Sequence, residues 1–112
     1  MSLNEDEYEA LAQPELRALV SALDALELSG VEAELSSDIL TLELDDGARY
    51  VVNSHRAARQ IWMAAEHSAW HFDWVPERSA WIAKKTGDEL WSTLSRVLTN
   101  KLGRKVELAR AA

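Results

Sequence analysis

The 112-residue sequence contains no cysteine, and this absence excludes several kinds of chemistry. Without a thiol the chain can form no disulfide, use no thiolate nucleophile and bind no zinc through cysteine. It also lacks any apolar run near the roughly 20 residues that a membrane-spanning helix needs. The first residues are acidic, unlike the basic start of a signal or transit peptide. We therefore expect a cytoplasmic protein with no membrane partner.

Motifs for enzymatic chemistry are also missing. With only four glycines, the chain has no glycine-rich phosphate loop and no G-x-S-x-G nucleophile motif. The three histidines, His55, His67 and His71, do not share one helix face, so their spacing is a weak indication of a zinc site. A ferroxidase would need a dinuclear cluster of carboxylates and histidines, and no such spacing is present. We expect a binding module, not an enzyme.

Charge is unevenly distributed along the chain, whose formal net charge is −7. Residues 1–46 carry thirteen acids and one arginine, whereas residues 47–112 carry six acids and eleven basic residues. Such asymmetry indicates two faces of opposite potential. The acidic part is either a docking or cation-binding edge or simply a solvated helix. Because it would repel phosphates, we expect no binding to nucleic acids.

The N-terminal segment has the apolar spacing of a helix from Asn4 to about Leu26. Asn4 can cap this helix, and Glu7 three residues later completes a capping pattern. Pro14 lies inside it, where proline removes a hydrogen bond and crowds the preceding turn. We therefore expect a kink or a break at Pro14.

After residue 30 the apolar period changes from helical to alternating, which predicts strands. Six strands are expected over residues 31–35, 39–44, 49–53, 60–64, 70–74 and 79–83. A second helix is expected from residues 87–88 to 103, and residues 105–108 can form a short last strand. This order predicts one α+β domain over residues 1–112, a two-layer α–β sandwich in which two helices cover one face of an antiparallel sheet.

The other sheet face must meet water or a partner, and the fourth strand shows which side chains it carries. Along Gln60-Ile61-Trp62-Met63 the side chains alternate between faces. Ile61 and Met63 suit the face under the helices, so Gln60 and Trp62 point outward. Tryptophan is enriched at binding hot spots, which favours a docking role for Trp62. The alternative is that a loop at residues 55–58 folds over the indole.

The fifth strand has the same alternation. Trp70, Phe72 and Trp74 are expected in the core. His71 and Asp73 then point outward, on the same face as the indole of the fourth strand. These outward residues extend the predicted docking surface.

Four carboxylates are candidates for a metal-binding ridge. Asp24 and Glu27 end the first helix, and Glu32 and Glu34 lie on one side of the first strand. If the helix and this strand run side by side, the four residues form one acidic ridge. Oxygen ligands without a tight cage suit hard cations such as Fe(II), Mn(II) or Ca(II), held weakly. The alternative is a solvated edge that discourages strand addition.

Several blocks of the sequence resemble the frataxin family, whose bacterial members are called CyaY. The resemblance runs from about residue 8 to residue 108. It is carried by five blocks: Tyr50-Val51-Val52-Asn53, Arg59-Gln60-Ile61-Trp62-Met63-Ala64, Trp70-His71-Phe72-Asp73-Trp74, Trp81-Ile82 and Gly87-Asp88-Glu89-Leu90-Trp91. The resemblance implies an α–β sandwich and an accessory or regulatory role in iron–sulfur cluster assembly.

The same resemblance implies partners and a ligand. It implies that the protein docks on a cysteine desulfurase and an Fe–S scaffold protein, and that it binds iron (Fe²⁺ or Fe³⁺) weakly and reversibly at the acidic ridge. Trp62 matches a tryptophan on the family's docking surface, with Asn53, Gln60 and His71 at neighbouring positions. Where the family often has glutamine and proline, this chain has His55 and Ala57.

Two interpretations remain open from the sequence. The first is an iron-binding accessory protein of cluster assembly. The second is a purely protein-binding module without a physiological metal role. We expect a monomer in either case.

Overall fold

The computed structural model describes residues 3–110 and places two helices on one face of an antiparallel sheet. The helices are α1 (Glu5–Leu26) and α2 (Leu90–Leu102). The strands are β1 (Val31–Ser36), β2 (Ile39–Leu44), β3 (Arg49–His55), β4 (Gln60–Ala65), β5 (Ser68–Val75), β6 (Ala80–Ala83) and β7 (Asp88–Glu89). They follow chain order across the sheet. The predicted α–β sandwich is confirmed, with seven strands instead of six. No helix within residues 3–110 combines the length and hydropathy that crossing a bilayer demands.

Helix α1 begins as predicted but is not broken at Pro14. Asn4 Oδ1 accepts the backbone N–H of Glu7 at 2.8 Å, and Glu7 Oε1 accepts that of Asn4 at 2.9 Å. The helix then continues through Pro14, so of the two predicted outcomes the break is wrong, while the kink stays a prediction. Fully buried side chains lie on both sides of the proline, among them Ala12 and Leu16. Burying each large apolar side chain stabilises by about 1.5–3 kcal/mol, and several together outweigh the roughly 3 kcal/mol cost of an interior proline.

The start of α2 lies later in the chain than predicted. Asp88 and Glu89 pair with β6 as strand β7, so the helix does not begin at residues 87–88. Glu89 then caps α2, since its carboxylate accepts the backbone N–H groups of Trp91 and Ser92. Gly103 ends the helix in the left-handed region with φ +71°, as its position predicted.

The predicted last strand at residues 105–108 is absent, and those residues belong to no strand. The backbone N–H of Val106 donates to Thr99 Oγ1 at 2.9 Å, and that of Leu108 donates to Ser95 Oγ at 2.9 Å. Because these hydrogen bonds go to side chains of α2, the segment packs on the helix layer instead of joining the sheet.

One acidic residue of α1 is buried. Glu15 is only 4% exposed, and its carboxylate accepts the indole N–H of Trp91 on α2 and a guanidinium N–H of Arg110. The Arg110 guanidinium also lies 5.5 Å from the centroid of the Trp91 ring. Buried charges are tolerated only when paired and hydrogen-bonded. This contact therefore ties α1, α2 and the C-terminal segment together.

A second polar cluster lies at the other end of α2. Lys101 Nζ lies 2.5 Å from Asp46 Oδ2 and 3.1 Å from Glu66 Oε1. The hydroxyl of the buried Tyr50 donates to the same Glu66 oxygen at 2.6 Å. Burial, together with the hydrogen bond to Glu66, raises the pKa of Tyr50 to about 12.

The raised pKa of Tyr50 predicts a loss of stability in alkali. Because the folded-state pKa lies above the unfolded value of 10.0, unfolding is favoured as pH rises from about 10 to about 12. Between pH 8 and pH 11.5 we expect the wild type to lose about 2 kcal/mol more free energy of unfolding than Tyr50→Phe, since one pKa unit corresponds to about 1.4 kcal/mol. Urea denaturation at both pH values measures this difference. Equal losses in the two proteins would contradict the prediction.

Candidate functional site

The sheet face turned away from the helices, here called the open face, carries two rows of side chains across β3, β4 and β5. In the first row Asn53 pairs with Trp62, and Trp62 pairs with His71. In the second row the paired residues are His55, Gln60 and Asp73. The structure therefore brings together all five residues predicted for docking, and it adds His55.

The alternation predicted for β4 and β5 accounts for this face. Ile61 and Met63 are 0% and 1% exposed on the helix side, which leaves Gln60 and Trp62 on the open face as predicted. On β5, Phe72 is fully buried, whereas Trp70 and Trp74 are only partly buried against the core. The prediction for the β5 aromatics is thus confirmed fully for Phe72 alone.

Trp62 is stacked between two imidazoles. The His55 ring centroid lies 3.7 Å from that of Trp62 with the rings 15° apart, and the His71 centroid lies at 4.3 Å and 18°. Because β3 and β5 flank β4 on opposite sides, the two imidazoles cover opposite faces of the indole. The indole is consequently half-buried and presents its edge to solvent. The predicted cover from residues 55–58 is therefore one histidine ring.

Hydrogen bonds hold the indole within the rows. Trp62 Nε1–H donates to Gln60 Oε1 at 2.7 Å, and Gln60 Nε2–H donates to Asp73 Oδ1 at 3.2 Å. A carboxylate has no proton to donate, so the Asp73 oxygen must face the NH₂ group of the Gln60 amide, and this contact orients the amide. That amide in turn presents its oxygen to the indole. The polar atom of the indole is therefore satisfied inside the protein, so the exposed part of the side chain is apolar.

The backbone beneath the second row is anchored to the core. The hydroxyl of Tyr8 on α1 is hydrogen-bonded to Ser54 Oγ at 2.5 Å and donates to the backbone oxygen of Gln60 at 2.7 Å. Tyr8 is fully buried, and Ser54 is 8% exposed. Burial raises the pKa of the Tyr8 hydroxyl, which remains a neutral donor. This contact fixes the residues adjoining His55 and the start of β4.

The four carboxylates proposed for a ridge lie in two pairs. Glu32 and Glu34 are exposed on the open face, because Val31, Ala33 and Leu35 alternate with them toward the core. Asp24 and Glu27 lie at the end of α1, in the layer that covers the opposite face. Within residues 3–110 no three histidine, aspartate or glutamate side chains are placed to hold one metal ion.

A third carboxylate accompanies the pair on β1. Glu43 on β2 pairs with Glu32 in the sheet, and a shallow depression of about 310 Å³ is lined by Glu32, Glu34, Thr41 and Glu43, with Ala33. Arg49 Nη2 lies 3.2 Å from Glu43 Oε1 and offsets one of the charges. These exposed oxygens suit a hard cation in kind, but they form no enclosing cage.

Known proteins with similar sequences or structures belong to the frataxin family. The family model described as "Frataxin-like domain" matches residues 1–104. The iron-sulfur cluster assembly protein CyaY of Thioalkalivibrio sulfidiphilus is 34% identical over 98 residues, covering 87% of this chain and 92% of that protein. CyaY of Paraburkholderia phymatum is 32% identical, covering 96% and 99%. A solved frataxin from Psychromonas ingrahamii superposes with a TM-score of 0.86 at 21% identity, covering 96% and 100% of the two chains, and shows the likeness of fold.

Proposed function

Because the chain belongs to the family of frataxin-like domains, we propose that it is a non-enzymatic accessory protein of iron–sulfur cluster assembly. The relatives described above are each named as an iron-sulfur cluster assembly protein, which supports the proposed role in cluster assembly. The partners that fit this role are a cysteine desulfurase and the Fe–S scaffold protein. The chain docks on them through the open face.

The observation that carries the proposal is the convergence of six side chains on the open face, Trp62 and five neighbours. Five of them surround an indole whose N–H is already bonded, so the side chain offers apolar edge area without an unmade hydrogen bond. Aromatic side chains with this combination of area and low flexibility are typical anchors of protein interfaces. The neighbouring polar groups supply the rim that such interfaces have.

A nuclear magnetic resonance footprint tests the docking surface. When the unlabelled desulfurase and scaffold pair is added to ¹⁵N-labelled protein, we expect the Trp62 Nε1–H signal and the amides of Asn53 and His71 to broaden first. The buried Trp91 Nε1–H, which donates to Glu15 in the helix layer, is the internal control and should broaden least. Broadening centred on α1 and α2, with the Trp62 signal unchanged, would contradict the proposal.

We further propose that iron binds weakly and reversibly at the exposed carboxylates. The candidate ligands are Asp24 and Glu27 at the end of α1 and Glu32 and Glu34 on β1, where oxygen ligands match a hard cation. With Fe(II) added to the same labelled sample, amides next to these four residues should broaden, and added salt should reverse the effect.

The alternative, a protein-binding module without a metal role, has an observation in its favour. The four carboxylates are divided between two layers, and Arg49 offsets the charge of Glu43 beside the pair on β1. If the amides of the four residues are unchanged by Fe(II) while the docking footprint persists, the metal role fails and the alternative stands.

A further inference from the structure

Trp62 is held from three sides before any partner arrives. His55 and His71 cover the two faces of its indole, and Gln60 accepts its N–H. A tryptophan on an open sheet would otherwise sample several rotamers, and an interface would have to order it on binding. Ordering one flexible side chain weakens association by a measurable factor. The enclosing contacts remove that cost in the free protein.

We propose that His55 and His71 are positioning residues, which clamp the Trp62 indole upright so that its edge is ready for docking. The proposal rests on the proposed docking function of the open face. His55 and His71 act here through Trp62 and not through their own contacts with the partner. Asn53 also lies in the first row, but its side-chain amide donates a hydrogen bond to the backbone oxygen of Ser54. The two imidazoles are therefore the groups that stack on the indole.

Imidazole is suited to this clamp in either charge state. A neutral ring stacks on the indole through dispersion and offset packing, and an imidazolium gains a cation–π attraction to it. The mobility of the Trp62 indole in the free protein is therefore the spectroscopic readout of the clamp, since the stacked rings restrict it directly.

Other charged groups around the stack belong to several elements. On β5 the carboxylate of Asp73 accepts a hydrogen bond from the side-chain amide of Gln60. Asp38, in the turn between β1 and β2, accepts the backbone N–H of Ser54 through its carbonyl oxygen. Arg56, which follows His55, pairs with Glu5 and Glu9 of α1. The guanidinium of Arg59 donates to the backbone oxygens of Leu3 and Arg56.

Paired substitutions test the clamp. The variants are His55→Ala/His71→Ala, which removes both rings, and His55→Phe/His71→Phe, which keeps a flat ring on each face of the indole. His67→Ala, in the exposed turn between β4 and β5, is the matched control. Each protein is measured by calorimetric titration with the desulfurase and scaffold pair and by ¹⁵N relaxation of the Trp62 Nε1–H in the free state.

We expect the double alanine variant to bind about threefold to tenfold more weakly, the factor that ordering one side chain represents, and its indole to become mobile. The double phenylalanine variant should bind within about twofold of the wild type, since its rings still position the indole. Its Trp62 indole should stay as rigid as that of the wild type in the ¹⁵N relaxation measurement. The His67→Ala control should match the wild type in every measurement.

Two results would overturn the proposal. Wild-type affinity in the double alanine variant would mean that the clamp is dispensable. An equal loss in the phenylalanine and alanine variants would mean that the imidazoles contact the partner directly. Failure of the docking function itself is separate, because it would appear as wild-type affinity in Trp62→Ala. The mobility of the indole in the free protein would still test the clamp in that case.

Discussion

Trp62→Ala should weaken binding to the cysteine desulfurase and scaffold pair by roughly 30-fold to 1000-fold, the range of an interface hot spot worth about 2–4 kcal/mol. The indole lies at the centre of the first row, between Asn53 and His71, where a partner would exclude water most completely. Its removal also deprives two imidazoles of their stacking partner and leaves the side-chain oxygen Oε1 of Gln60 without its donor. Isothermal titration calorimetry measures the change in dissociation constant.

The same substitution should leave the fold intact. Trp62 points away from the helices, so its loss opens no cavity in the core that Ile61 and Met63 fill. Leu26→Ala is the matched control, because Leu26 is an apolar side chain 41% exposed at the end of α1, far from the open face in the layered fold. Similar losses of affinity in both variants would show that exposed apolar area in general, and not the open face, determines binding.

The face of each strand could be predicted from the sequence because a strand has a period of two residues. Any shift by one residue would expose Ile61 and Met63 while burying Gln60, so hydrophobic burial determines the orientation of β4. The same rule predicted that His71 and Asp73 lie beside Trp62. Five of the six residues in the two rows followed from alternation and from the family resemblance.

His55 was predicted only as part of a loop that could cover the indole, and not as a residue of the open face, because β3 was predicted to end at Asn53. Alternation continued by two residues would have placed His55 on the same face, so the signal was present in the sequence. The stacking itself is a diagonal contact between β3 and β4, however, and it depends on the pairing register. Such register is set by long-range pairing and cannot be seen in either segment alone.

Other errors have the same origin in distant contacts. Strand β7 has two residues, which is too short for a periodic signal, and only its pairing with β6 makes it a strand. Glu15 belongs by type to the acidic N-terminal half, but it is buried because Trp91 and Arg110 reach it from the other end of the chain. The continuous path of α1 through Pro14 likewise depends on the sheet against which the helix packs.

Tyr8→Ala should cause the largest loss of stability, with the free energy of unfolding falling by about 4 kcal/mol. Tyr8 is fully buried, and its ring meets that of Trp81 edge-on with the centroids 6.0 Å apart. Truncation leaves a cavity between α1 and the sheet and removes the hydroxyl that donates to the backbone oxygen of Gln60. For a chain of this size the melting temperature should fall by roughly 15 °C, at about 4 °C per kcal/mol. Urea denaturation and differential scanning calorimetry measure both quantities.

Removing only the hydroxyl separates the hydrogen bonds from the cavity. Tyr8→Phe should lower the free energy of unfolding by about 1–3 kcal/mol, because it leaves buried polar groups of Ser54 and Gln60 without a partner. Tyr50→Phe at neutral pH is the matched control. The partner of Tyr50 is the exposed Glu66, which keeps its contact with Lys101 and can also turn to water, so this loss should be smaller. Equal losses in the two phenylalanine variants would contradict the view that the loss of stability depends on leaving buried polar groups unpaired beneath the two rows of the open face. A larger loss at Tyr8 would instead link the stability of the core directly to the strand ends that carry His55 and Gln60.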